Sequence, residues 1–454
     1  MPSLPTPSVA HTRRSLRGLA CALPLVLAAC GGGGDNGGPV FPQVDCSVAG
    51  QKEGLRNYIN DWYFWYAISP NPSPAGFSSV ASYFDALLYT GSSATFPDPD
   101  RWSNFQSTES FNRFFDDGQS LGYGVAVAGL EVTGQPSQPL YVRYIEPQSP
   151  AAGVVQRGER VMSINGRLVS EILAAPQPDF SGLTANAAGE QLTLRVRNAA
   201  GAERTVVLTA TTFNLTPVQG AGVVTSPLGR KMGYVMVKDM ISQAALPLDA
   251  AFSTFRAQGV QDVVLDLRYN GGGLVSMGGT VASYAAGARG INSSGSGQLF
   301  ARLLYNDRHS INNQDFSFTN PAAWAGFSTV YVLAGPRTCS ASEQVINGLR
   351  GVGINVVAVG DTTCGKPVGF LPQGNSCGTT YSVVKFESVN ARTEGRYFNG
   401  FAPTCAVAED FSLPSGQTPL SVWYAAATSS GSLMCPVGRL KFSATAQVGA
   451  KPLK

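Results

Sequence analysis

Histidine is almost absent from this 454-residue chain, which holds only His11 and His309. His11 falls in the N-terminal leader, so any serine–histidine pair would have to use His309. The histidine-based ligand sets of zinc peptidases cannot be assembled at all. His309 sits in a polar stretch, Asn306-Asp307-Arg308-His309-Ser310, and reads as a surface-loop residue. Charge is scarce too, at 13% of residues, and the formal net charge of +3 is carried by Arg13, Arg14 and Arg17. Without residues 1–29 the chain has 29 basic and 29 acidic residues. The basic footprint of a nucleic-acid binder is therefore missing. None of the eight cysteines forms a Cys-x-x-Cys pair, which removes the usual zinc-cluster patterns. No apolar run reaches the ~20 residues that span a bilayer as a helix.

Glycine (52) and proline (29) are plentiful, a balance that suits a loop-rich α/β or β protein better than a helical bundle. The length exceeds what one core supports and implies two or three domains. Arg13, Arg14 and Arg17 precede an apolar run from Leu19 to Ala29, the layout of an export signal. The run closes in Leu27-Ala28-Ala29-Cys30, which resembles the bacterial lipobox and implies a diacylated Cys30 as the mature N-terminus. An ordinary signal peptide with an incidental cysteine is the plainer alternative. Gly31 stands where an aspartate would retain such a lipoprotein at the inner membrane in enteric bacteria. The expectation is therefore a periplasm-facing, outer-membrane lipoprotein of the cell envelope. A signal over 1–29 and a flexible, glycine-rich tether over 30–49 follow. After Cys30 come Cys46, Cys339, Cys364, Cys377, Cys405 and Cys435, and an oxidising compartment would favour disulfides. Sequence leaves the pairing open, with Cys364–Cys377 the best local guess.

Residues 50–117 read as helical. Leu55, Tyr58, Ile59, Trp62 and Tyr66 share one face, as a core or domain interface would need, and a second helix covers about Val80–Leu88. Over 118–213 the pattern turns to short strands: Leu140–Ile145, Glu159–Ile164 closed by the tight-turn pair Asn165-Gly166, and a hairpin of Leu192–Arg197 with Arg204–Leu208. Beyond residue 230, strands at Met232–Val237, Asp262–Leu267, Thr329–Ala334 and Ile354–Val359 alternate with helices near Leu246–Gln258 and Ser340–Arg350. That alternation predicts a mainly parallel sheet with right-handed crossovers.

Two motifs in this α/β part carry chemistry. Asp266-Leu267-Arg268-Tyr269-Asn270-Gly271-Gly272-Gly273 ends a strand. It is either a plain glycine turn or a set of free backbone N–H groups able to hold an oxyanion. Thr338-Cys339-Ser340-Ala341-Ser342-Glu343 opens a helix, and Gly365-Lys366 follows, with the lysine 26 residues after Ser340. Ser340-x-x-Glu343 is a ready capping box, but a serine there also lies beside exposed amides and a positive helix end. Two decoys are set aside. Gly360-Asp361-Thr362-Thr363-Cys364-Gly365-Lys366 fits a nucleotide P-loop until Pro367 replaces the metal-binding hydroxyl. Gly122-x-Gly124 begins a dinucleotide fingerprint, but the next glycine falls at 129 instead of 127.

The series Ser120-Leu121-Gly122-Tyr123-Gly124-Val125, Glu146-Pro147-Gln148-Ser149-Pro150-Ala151-Ala152, Arg157-Gly158-Glu159-Arg160-Val161 and Ile164-Asn165-Gly166 resembles a PDZ domain. In that family, amides around Gly122, Tyr123 and Gly124 would receive a peptide's C-terminal carboxylate as the peptide adds to the sheet edge. With the two later motifs in the same order, residues 50–380 resemble the carboxyl-terminal processing (tail-specific) proteases. The resemblance implies an α/β fold: a crotonase/ClpP-like ββα protease domain over 214–440, a β-rich PDZ domain and a helical N-terminal segment, with a C-terminal tail over 441–454. It makes Ser340 the nucleophile, Lys366 the general base, and Gly272, Gly273 and Ala341 the oxyanion donors. No cofactor or metal is implied, and the partners are polypeptides engaged by their C-termini, with a membrane reached through the lipid anchor. The chain departs from the family where Phe370 replaces a frequent lysine-orienting glutamine, a role Gln373 could take. It departs again where Cys339 and Cys364 flank the two catalytic positions. A non-cleaving, lipid-anchored PDZ scaffold is the rival reading.

Overall fold

Runs of β-branched residues separated by helices build one six-stranded sheet. The computed structural model describes residue 41 and residues 43–128, 139–225, 231–327 and 329–409. Cys30 with its signal, Cys435 and the tail over 441–454 lie outside them. The sheet runs in the order β1 (Val218–Thr225), β2 (Lys231–Val237), β3 (Asp262–Asp266), β4 (Val330–Ala334), β5 (Val356–Gly360) and β6 (Cys405–Ala406). β2 to β6 are parallel and β1 is antiparallel to β2. Alternate side chains serve opposite faces. Val235, Val263, Leu265, Val330 and Val332 pack under helices α1 (Ala245–Ala257), α2 (Val275–Ala286) and α3 (Ala341–Gly351). Tyr234, Val264, Tyr331, Leu333 and Val357 face the other way, onto Tyr144 and Tyr269. α2 was not anticipated. Nearly all its residues from Met277 onward are buried, so it has no polar stripe to give a helical period. A second, antiparallel sheet of Gln314–Ser317, Leu299–Tyr305, Val384–Val389 and Val368–Phe370 was likewise not foreseen.

The N-terminal part is helical only in places, at Val48–Trp62, Val80–Leu87 and Thr108–Phe115. Between the last two, Asn104–Ser107 is a strand paired with Thr379–Ser382. Leu55, Tyr58, Ile59 and Trp62 are buried against Val368, Tyr381, Val383 and Val384, so the aromatic stripe is an interface with the α/β part. Tyr66 lies past the helix end, and its hydroxyl donates to Asp307. The expected tether is shorter than drawn. Phe41 is buried against Tyr58 and Tyr381, and Cys46 is bonded to Cys377. The pairing Cys364–Cys377 is thereby corrected. Cys377 sits on the Asn375–Thr379 turn beside the N-terminal segment, whereas Cys364 bonds to Cys339. No helix among the described residues is long and apolar enough to cross a membrane.

Residues 119–214 form a β-rich unit with its own core of Val142, Val161, Leu192, Leu194 and Val196. Its entry and exit strands, Gln119–Gly122 and Thr211–Asn214, pair with each other, as expected of an inserted module. The sheet order is Val125–Ala128, Tyr141–Ile145, Arg160–Ile164, Gln191–Arg197 and Glu203–Thr209. Asn165 and Gly166 both take positive φ, the conformation a tight hairpin turn requires.

Candidate active site

Three loops leave the C-terminal ends of three adjacent parallel strands, where open α/β sheets place their sites. The register keeps those ends level, with Asp266 opposite Leu333 and Ala334 opposite Gly360. β3 leads into the glycine turn, β4 into the serine, and β5 into the Lys366 loop.

The Asp-Leu-Arg run pins the first turn. Asp266, fully buried, accepts from Tyr234 Oη at 2.7 Å and from Arg268 Nε and Nη2 at 2.9 and 2.6 Å. Asn270 is also fully buried and donates to Val237 O at 2.9 Å. Its Oδ1 accepts the Gly272 N–H at 2.8 Å, and its carbonyl accepts Cys339 N–H and Ser342 Oγ, both at 3.1 Å. Thr338 adds a further tie, donating from Oγ1 to Leu267 O at 2.8 Å. Gly272 has φ +103, and a Cβ there would lie 2.7 Å from Ser340 Cβ; only glycine lets the two turns close. The Gly272 amide is therefore spent on Asn270. The amides of Gly273 and Ala341 have no acceptor among the described residues, which leaves those two as the available oxyanion donors.

Ser340 stands at the N-cap of α3 with φ 55° and ψ −119°, a strained, sharp strand-to-helix turn that costs about 1–3 kcal/mol. Only half of the capping box forms. Ser340 N–H donates to Glu343 Oε2 at 3.1 Å, but no hydrogen bond engages Ser340 Oγ among the described residues. A capping serine would spend its oxygen on the helix; this one keeps it free on a half-buried side chain.

Glu343 joins the Ser340 turn to the Lys366 loop. It is fully buried. The same Oε2 that takes the Ser340 amide takes the Lys366 amide at 2.8 Å, while Oε1 accepts Thr363 Oγ1 at 2.6 Å and Gly365 N–H at 2.8 Å. Burial pushes its carboxyl up in pKa, against the four donors, which pull it down. Lys366 Nζ lies 3.6 Å from the Phe370 ring centroid and makes no hydrogen bond to Ser340 Oγ. Loss of water pulls its pKa down to about 7, against Asp100 and Glu343, which push it up. Asp100 is held by Tyr63 Oη at 2.7 Å, and Arg101 donates to Cys364 O at 3.2 Å, so the N-terminal segment helps to build the surroundings of the Lys366 amine.

Of the other anticipated residues, Gln373 does not touch Lys366; its amide lies 3.5 Å from Gly374 O. Phe370 takes the place beside the amine. His309 is no free surface residue: its Nε2 is 3.0 Å from Asp61 Oδ1 and its ring stacks on Trp62 at 3.6 Å. Neither contact touches the Ser340 loop. Gly122, Tyr123 and Gly124 form the turn before Val125–Ala128, a strand that pairs, among the described residues, only with Tyr141–Ile145. Gly124 has φ +74, and a Cβ there would overlap Ser149. The Tyr123 and Gly124 amides have no acceptor among the described residues. Sequence reasoning missed Asn270, Thr338, Thr363, Asp100 and Arg101, and saw Glu343 only as a cap. Asn270, Thr338 and Thr363 stood inside motifs already singled out; Asp100 and Arg101 carried no local signal.

Two family models match the chain: Peptidase family S41 over residues 231–405, and the Peptidase S41 N-terminal domain over residues 50–104. Carboxyl-terminal-processing peptidase 3, chloroplastic, of Arabidopsis thaliana is 32% identical over 181 residues, 37% of this chain and 33% of that protein. C-terminal processing peptidase, chloroplastic, of Tetradesmus obliquus is 27% identical over 256 residues, 53% of this chain and 51% of that protein. The chain thus spans between a third and about half of the curated relatives it matches. Among solved structures, a candidate S41 protease of Bacteroides fragilis NCTC 9343 is 26% identical with TM-score 0.59, over 80% of this chain and 93% of that one. The photosystem II D1 C-terminal processing protease is 20% identical with TM-score 0.50, over 80% and 94%, a likeness of fold alone. Residues 231–405 and 50–104 thus match the S41 peptidase models, and these likenesses support a serine-type protease.

Proposed function

We propose that this chain, with its S41 peptidase domains, is a serine endopeptidase that acts through a Ser340–Lys366 dyad on polypeptides held by their C-terminal tails. The observation that carries it is the free Ser340 Oγ on a strained turn, with one Glu343 oxygen binding the amides of both Ser340 and Lys366. In the reaction, neutral Lys366 Nζ takes the Ser340 proton as Oγ attacks the scissile carbonyl. The oxyanion is met by the Gly273 and Ala341 amides at the positive end of α3. The protonated amine then gives its proton to the leaving nitrogen, and water hydrolyses the acyl-serine with Lys366 again as base. A non-cleaving binder of tails is the rival, and it draws on Nζ resting over Phe370 instead of on Oγ. Catalytic hydrogen bonds are often loose without substrate. A fluorophosphonate probe should label the purified protein at Ser340 alone and fail on Ser340→Ala; no labelling of the folded protein at any pH would favour the binder.

Tail recognition is assigned to the β-rich unit, read as a PDZ domain. Its support is the edge of Val125–Ala128, open among the described residues, beside two amides without an acceptor there, a place for an added strand ending in a carboxylate. A peptide with a free C-terminus should bind at least about tenfold more tightly than its amide. Equal affinities would remove the carboxylate from the recognition.

Export and anchoring through Cys30 rest on the N-terminal pattern. The Cys46–Cys377 and Cys339–Cys364 disulfides support an oxidising compartment such as the periplasm. Cys30→Ser should move the protein from the membrane to the soluble fraction, and unchanged membrane retention would exclude the anchor.

A further inference from the structure

The Cys339–Cys364 bond lies where no structural staple is required. It joins the residue before the serine to the residue two before the lysine, with Cα atoms 5.2 Å apart. The same two residues are held by the backbone: Cys339 N–H donates to Asn270 O, and Cys364 N–H to Thr338 O, each at 3.1 Å. Cys339 O accepts Ser342 N–H at 3.0 Å and is 3.0 Å from where a Cβ on Gly272 would sit. All three loops of the site therefore converge on Cys339, and the disulfide is the one covalent link between them among the described residues. Both cysteines are half-buried, unlike the fully buried Glu343 beside them.

We propose that Cys339 and Cys364 are positioning residues for the dyad: their bond holds the Lys366 loop against the Ser340 turn, and its reduction disarms the site while leaving the fold intact. This rests on the serine–lysine reading above. Reduction takes two electrons and two protons from a dithiol, which closes to its own disulfide, and leaves two thiols. The Lys366 loop then keeps only hydrogen bonds: those to Glu343, Thr338 and Arg101 close to the lysine, and those of Asp361, Thr363 and Pro367 to Ala334, Phe401 and Ser388 at its ends. The charged groups facing Lys366 are Asp100 from the N-terminal segment and Glu343 from α3. Arg101 lies on Cys364 O, and the buried Tyr397 hydroxyl is near Glu343. Both carboxylates favour the protonated amine, so only the exclusion of water keeps it neutral near pH 7. A loop that opens admits water, returns the proton and removes the base.

The test compares the wild-type protein, Cys339→Ser/Cys364→Ser and Cys46→Ser/Cys377→Ser. The readouts are kcat and KM on a polypeptide substrate, the pH midpoint of fluorophosphonate labelling, and Tm. Removing the 339–364 bond should lower kcat at neutral pH at least tenfold, leave KM within about twofold and raise the midpoint by about one unit or more. Removing the 46–377 bond should lower Tm and leave the midpoint unchanged. If the first double variant does not fold, wild-type protein is titrated with a dithiol and reoxidised. Activity should then fall and return with the 339–364 bond, followed by differential alkylation and mass spectrometry. A wild-type kcat and midpoint without that bond overturns the proposal alone. Oxidised wild-type protein that never labels overturns the dyad reading, and this proposal with it.

Discussion

Lys366→Arg should abolish turnover, with a loss of at least about 1,000-fold in kcat, although the positive charge is kept. A general base contributes on the order of 100- to 10,000-fold, and guanidinium cannot lose its proton in the working range of an enzyme. A free lysine titrates near about 10.4, so the amine is useful as a base only because dehydration pulls it down to about 7. The Phe370 ring lies directly at the amine, and its uncharged neighbours Pro367, Val368 and the bridged Cys364 bring no charge to stabilise the protonated form. The variant should still bind tail peptides with wild-type affinity, since the β-rich unit is untouched. Near-normal activity in Lys366→Arg, together with its loss in His309→Ala, would transfer the base to His309.

Glu343→Gln should cost roughly 100-fold or more in kcat and lower Tm, even though it changes only one atom. The two carboxylate oxygens accept four donors, three of them backbone amides from the serine turn and the lysine loop. Glutamine keeps one oxygen and turns an NH2 toward donors, and each buried donor so stranded costs roughly 1–3 kcal/mol. A displacement of about 1 Å between nucleophile and base accounts for a hundredfold loss. The sign of the accompanying pH shift separates geometry from charge. Glu343 raises the Lys366 pKa, so its neutralisation should lower the midpoint of the pH–rate profile while kcat falls. An upward shift, or a kcat and Tm equal to wild type, would contradict the bridging role.

The parallel sheet was legible because its strands are buried on both faces and read as nearly continuous apolar runs. Met232–Val237, Asp262–Leu267 and Thr329–Ala334 were placed to within about two residues. The meeting of the Ser340 turn and the Lys366 loop was legible from the motifs around them, since a strand-to-helix turn and the next crossover loop must meet at one edge of the sheet. The bridge through Glu343 was not, because a carboxylate three residues into a helix looks the same whether it caps or connects. Gln373 failed for a related reason: spacing along the chain does not tell which side of a short strand faces the amine, and Phe370 holds that position. The cysteine pairing went wrong because local loop length was weighed without the Cys46–Cys377 contact, whose partners are 331 residues apart. Asp100 and Arg101 reach the site from a segment that sequence alone gave no reason to dock there.

The central claim is that a lysine, neutral near physiological pH, activates Ser340. The most direct measurement is the rate of fluorophosphonate labelling of Ser340 in the wild-type protein across pH 5 to 10. The rate should climb about tenfold per pH unit at low pH, pass through a single ionisation near 7 and then level, and it should collapse in Lys366→Ala. A rate that keeps climbing toward the pKa of a free lysine, or that survives Lys366→Ala unchanged, would contradict the account.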